Sequence, residues 1–115
     1  MKQITTITAA PKQQHTLVLD NNETADFYLE YCGRMESWYF NIAYNDTVQK
    51  CIKVVLTPNA LRHLRRIIPF GIAFISENQV EPFRLDDFTA GRVQMYVLNS
   101  DDVAEIEQEI YNEEL

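Results

Sequence analysis

A chain of 115 residues, 46% hydrophobic and 23% charged, fits one globular domain with a single core and excludes disorder over its whole length. Its net charge of −7 argues against nucleic acid or an anionic membrane as the main partner. The imbalance is local. Residues 1–100 hold all 10 Lys and Arg and an equal number of acids, so the excess falls on Asp101, Asp102, Glu105, Glu107, Glu109, Glu113 and Glu114.

The opening "MKQITTITAAPKQQ" lacks the apolar stretch of a signal peptide, and nothing in the chain approaches the roughly 18 consecutive apolar residues of a membrane span. The expectation is a chain made and kept in the cytoplasm, without a signal peptide. Cys32 and Cys51 are too far apart for a CxxC metal or redox pair and read as reduced, packed thiols.

Period-two segments dominate the first half. "QITTITA", ending at Ala10-Pro11, reads as a short edge strand. "HTLVLD" sets Leu17 and Leu19 against Thr16 and Val18, and "DNNET" is a dense turn signal. "DFYLEY" puts Phe27, Leu29 and Tyr31 on one face. After the turn Cys32–Met35, "ESWYFNIAYND" places Trp38, Phe40, Ile42 and Tyr44 at every second position. These two runs form a hairpin whose aromatic face is core, because large aromatics supply most of a small domain's buried area. Tyr39, on the opposite face, is a candidate contact residue.

"VQKCIKVVL" is a β-branched strand in which either Cys51 and Val54 or Ile52 and Val55 face inward, depending on register. In "TPNALRHLRRII", Thr57 reads as an N-cap with Pro58 at the first helical position, and Leu61, Leu64 and Ile68 share one helical face. The segment is a short helix or an irregular excursion, ended by Pro69. "GIAFISE" reads as a buried strand, "NQVEPF" as a turn and "RLDDFTAG" as a loop. "RVQMYVL" sets Val93, Met95 and Val97 against Gln94, Tyr96 and Leu98.

The end changes character. "NSDDVAEIEQEIYNEEL" predicts a helix with Ser100 as N-cap, Asp101 and Asp102 in the first turn, and Val103, Ile106 and Ile110 on one stripe. That stripe docks on its own domain or on a neighbouring subunit. Arg62, Arg65 and Arg66 form a basic patch suited to pairing with acids, the tail's own or a partner's.

Candidates for chemistry are few. His15 and His63 are the only histidines, and neither accompanies a nucleophile motif, a second His at ligand spacing or a Gly-rich phosphate loop. Asp86 and Asp87 with Glu81 are the residues from which a hard-cation site would be drawn, although adjacent Asp in a loop ordinarily cap turns. The reading assigns no catalytic residue, no cofactor and no metal, and no enzyme activity.

The stretches "ITTITAAPKQQHTLVL", "FYLEYCGRMESWYFNI", "CIKVVLTPNALRHL", "FGIAFISE" and "FTAGRVQMYVL" together span most of the chain and leave out the acidic tail. In these stretches the chain resembles the baseplate plug family of contractile-tailed phages and prophages. The resemblance implies a non-enzymatic structural part of the baseplate, assembled in the host cytoplasm and then held in the virion tail. Its implied partners are other tail proteins and copies of itself, with neither nucleic acid nor membrane. Two other classes are weighed beside it: a free-standing acidic module that occupies a basic partner, and a small-molecule-binding β-barrel lined by the aromatic face.

The fold expected is mainly β: one antiparallel sandwich or barrel-like domain over residues 1–99, with a middle helix or excursion, followed by an acidic helix or tail over 100–115.

Overall fold

The computed structural model of the protein describes residues 2–19, 22–64 and 66–114, with side chains described as far as residue 110 in the last helix. Among the described residues seven strands precede one α-helix: β1 (Lys2–Ile4), β2 (Lys12–Val18), β3 (Thr24–Cys32), β4 (Ser37–Tyr44), β5 (Thr47–Lys53), β6 (Gly71–Ile75), β7 (Gln94–Leu98) and α1 (Ser100–Glu114). They form two antiparallel sheets, β2-β3-β4-β5 and β1-β7-β6. The sheets face each other as an open sandwich, and neither closes into a barrel.

The alternation written in β2, β3 and β4 becomes the core. Leu17, Phe27, Leu29, Trp38, Phe40 and Ile42 are all at most 2% exposed, and Leu19 and Tyr44 are buried with them. Phe27 and Phe40 stack across the strand pair at 5.4 Å, and Phe40 reaches Phe74 of the opposite sheet at 5.8 Å. Such pairs add roughly 0.5–1.5 kcal/mol each beyond the area they bury. The turn from β4 to β5 is Asn45-Asp46, with Asn45 at φ 51, a conformation Asn tolerates better than most side chains. Asp20 and Asn21 of the "DNNET" turn lie outside the described residues.

Neither register expected for "VQKCIKVVL" holds. Ile42 pairs with Gln49 and Phe40 with Ile52, so Lys50 and Cys51 together oppose Asn41 in a β-bulge. The extra residue resets the alternation: Ile52 and Val54 turn inward, while Cys51 and Val55 are exposed. Cys51 is therefore a surface thiol and not a packed one. It sits at φ 59, and its amide donates to Asn41 Oδ1 at 2.8 Å.

The middle segment is an excursion with a 3-10 turn at Arg62–Leu64. Thr57 caps no helix. It forms a two-way backbone bridge with Phe74, and Ala60 donates to Ile72 O at 2.6 Å, so the segment lines the free edge of β6. Leu61, Leu64 and Ile68 are buried as their spacing suggested, but irregular backbone delivers them. The pivot is Asn59, 4% exposed, whose Oδ1 accepts from Leu61 N at 3.0 Å and Ile72 N at 3.3 Å.

Val93, Met95 and Val97 are buried, and so is Leu98, expected on the other face. The correction follows from α1, which packs against β7 and gives that end of the sheet a second covered side. The cap of α1 is Asn99, one residue earlier than expected: Asp102 N donates to Asn99 Oδ1 at 2.8 Å and Asn99 N to Asp102 Oδ2 at 3.3 Å. This is a capping box, satisfying two donors reciprocally at the helix start.

Candidate interaction surfaces

The two ends of β4 each fasten a loop. At one end Trp38 Nε1 donates to Arg84 O at 3.0 Å and Tyr31 OH to Phe83 O at 2.8 Å, while Phe88 stands edge-on to Trp38 at 5.4 Å. At the other, the Tyr44 hydroxyl donates to the Glu23 carboxylate, which raises the Tyr44 pKa together with burial and the nearby charge. The aromatic face of β4 is thus filled core with two polar handles. A barrel cavity lined by those rings does not exist in this fold.

Asp87 holds the first loop together. Its Oδ2 accepts from Phe83 N at 2.6 Å and Arg84 N at 2.7 Å, and its Oδ1 from Arg92 Nε at 2.7 Å. Arg92 Nη2 also reaches Asp86 Oδ1 at 2.7 Å. Burial pushes the Asp87 carboxyl up, but the amide of Arg84, the guanidinium of Arg92 and the amide of Phe83 outweigh it and hold the group below its ordinary range. Glu81 is engaged elsewhere, accepting from Leu56 N at 2.6 Å, so the three acids named as a cation candidate do not converge. Among the described residues no group of three or more His, Cys, Asp and Glu is placed to hold a metal ion.

His15 is also occupied structurally, lying 2.7 Å from Gln13 Oε1 through Nε2 and 3.4 Å from Thr6 Oγ1 through Nδ1, and burial lowers its pKa. Gln13 in turn ties residues 8–10 to β2 through both ends of its amide. His63 is exposed on the 3-10 turn.

Of the basic patch, Arg62 is turned onto the acidic helix. Its Nε lies 2.9 Å from Glu107 Oε1 and its Nη2 3.3 Å from Oε2, a forked pair. Arg66 is exposed, and Arg65 lies outside the described residues. Val103, Ile106 and Ile110 are half-buried, so the apolar stripe rests on its own domain while keeping part of its surface open. With side chains 42% and 25% exposed, the Arg62–Glu107 pair is worth about 0.5 kcal/mol. A double-mutant cycle with Arg62→Ala and Glu107→Ala should give that coupling in urea unfolding at low salt, and about 1 M salt should remove most of it.

Tyr39 lies half-buried on the outer face of the four-stranded sheet. It is opposite Glu30 on β3 and Lys53 on β5, and Glu30 in turn lies 3.8 Å from Lys12 of β2. This face alternates charge and aromatic ring, and among the described residues no strand of the other sheet pairs with it. A separate open hollow of about 340 Å³ sits where β2 ends beside the β7–α1 junction, lined by Val18, Leu19, Phe70, Leu98 and the polar Asn99 and Ser100.

A family model described as "Cyanophage baseplate Pam3 plug gp18" matches residues 1–101. The chain belongs to the cyanophage baseplate plug family. The match takes in both sheets, the middle excursion and the Asp87 loop, and stops in the first turn of α1. Beyond Asp101 the acidic helix lies outside the part of the chain matched to the plug family. A search of curated proteins found no match.

Asp87 caps its loop, as a pair of adjacent Asp in a loop ordinarily does. Asn99 with Asp102 three residues on is a legible capping pattern that the assignment of the cap to Ser100 missed. Asn59 carries no such signal, because Ile72, one of the two amides it caps, is brought to it by the fold.

Proposed function

We propose that this baseplate plug family member is a non-enzymatic structural part of a phage or prophage tail, assembled with other tail proteins in the host cytoplasm and carried in the virion. The family match over residues 1–101, spanning the whole sandwich, is the observation that carries the reading. It is supported by how the polar side chains are used: Asp87, Asn59, Gln13 and His15 are spent on holding loops in place.

In this reading residues 1–99 are the body that sits in the baseplate, and 100–115 are an appended acidic element. Contacts with neighbouring tail proteins run over the outer face around Tyr39, over Arg66 and Arg65, and over the open side of the stripe Val103, Ile106 and Ile110, beside Arg62. A small, stable β body with charged and aromatic outer surfaces suits an assembly part, since aromatic and Arg side chains dominate such contacts.

The test is mass spectrometry of tail particles sedimented from an induced or infected culture. Peptides of this chain at a defined copy number against a major tail protein are expected. Clean absence from intact particles overturns the proposal.

A further inference from the structure

The edges of the two sheets are not alike. On β5 the bulge at Lys50 and Cys51 breaks the ladder, the Cys51 amide is spent on Asn41, and Lys50 and Lys53 add charge. These are the devices that keep a sheet edge from pairing with another chain. The outer edge of β6 is taken by Thr57 and Ala60, and β1 is only 3 residues long.

β2 has none of this protection. It runs for 7 residues with an unbroken register against β3, contains no Pro, and carries one formal charge, at Lys12. The bonds Tyr31 N to Pro11 O at 2.7 Å and Leu19 N to Glu23 O at 2.8 Å flank the ladder and set its phase. Antiparallel pairing alternates, so Gln13, His15 and Leu17 bond toward β3, and the backbone groups of Lys12, Gln14, Thr16 and Val18 point away from the sheet.

We propose that the β2 edges of two copies of this chain pair antiparallel about a two-fold axis, joining their four-stranded sheets into one continuous sheet. The occupant is a second copy because the strand is complementary to itself. The register that overlaps the whole strand sets Lys12 opposite Val18 and Gln14 opposite Thr16 of the second copy, each twice by symmetry, with His15 on the axis. No like charges meet: Lys12 has Glu30 of its own chain at 3.8 Å, and its aliphatic stem covers Val18, which is 55% exposed. A slip by one residue would oppose inward-bonded to outward-pointing groups, and a slip by two would shorten the ladder. The interface is isologous, the commonest arrangement of homo-oligomers.

The pairing rests on the strand alone, so the presence or absence of the chain in tail particles does not decide it. The test is sedimentation velocity on the full chain at roughly 100 µM, a concentration at which a small polar interface is populated. The unaltered protein is expected to be a dimer. Gln14→Lys with Thr16→Lys puts cations opposite cations and should give a monomer with the far-UV spectrum unchanged. Gln14→Glu with Thr16→Lys puts an acid opposite a cation and should keep the dimer; in its own chain position 16 faces Asp26, which accommodates a cation. Gln14→Lys alone, gentler on the fold, sets its two cations diagonally across the axis and should weaken the dimer about threefold. A monomeric unaltered protein, a dimer indifferent to the paired cations, or loss of the dimer in the acid and cation variant overturns the proposal.

Discussion

Asp87→Asn is expected to cost about 2–3 kcal/mol, the scale of losing hydrogen bonds to a buried carboxylate whose partner Arg92 stays partly in solvent. Asp87 is 1% exposed and uses both oxygens as acceptors, one for two backbone amides and one for Arg92. An Asn offers one acceptor and points an NH2 at donors on the other side. The damage spreads because Trp38 and Tyr31 hold the same loop by its Arg84 and Phe83 carbonyls. Urea unfolding should show the midpoint falling with little change in slope, and Trp38 fluorescence should report the loosened loop.

The pH dependence follows from the sign of the shift. Asp87 is held below its ordinary value of 3.8, so its carboxylate contributes stability that is complete above that value and is lost as pH falls through the lower folded one. The stability gap between the unaltered protein and Asp87→Asn should be flat from about pH 5 to 8 and narrow below about pH 4. A gap that persists unchanged in acid would show that shape, and not charge, gives Asp87 its role.

Gly71→Ala should cost about 2–4 kcal/mol, combining overpacking with a broken cap. A Cβ at Gly71 would stand 2.6 Å from Asn59 Oδ1 and 2.9 Å from its Cγ. Asn59 cannot swing aside without releasing the amides of Leu61 and Ile72, which are buried with it. The backbone at Gly71 is ordinary strand, so the penalty is contact and not conformation. Asn59→Ala tests this directly: in that background Gly71→Ala should cost little, giving a coupling of about 2 kcal/mol in the cycle. Additive losses would mean that the two residues do not act on each other.

The sandwich was legible wherever one buried and one wetter face write a period of two. Phe27, Leu29, Trp38, Phe40 and Ile42 were read correctly because alternation is a property of the strand itself. Reading failed where one residue broke the period. The bulge at Lys50 and Cys51 turned Ile52 and Val54 inward together, and composition alone cannot announce an inserted residue. In the middle segment the spacing of Leu61, Leu64 and Ile68 marked buried positions correctly but implied the wrong backbone. Pairing of Thr57 with the edge of β6 overrode the local helix signal.

Of the surfaces, the acidic helix and its stripe could be read from the chain because cap, charge and spacing are local. Pairing of the Arg patch with the tail's acids was among the readings, but that Arg62 would be the residue and Glu107, 45 residues on, its partner could not be read. Residue order by itself determined the strands of the aromatic hairpin, the acidic terminal helix and, through the family match, a place among baseplate plug proteins. Tertiary structure alone decided which polar groups serve the core and which strand edge stays open. Asn59 meets Ile72 13 residues on, Trp38 holds the carbonyl of Arg84 46 residues on, and β2 becomes an edge only through the order of the other strands, and only folding sets those distances.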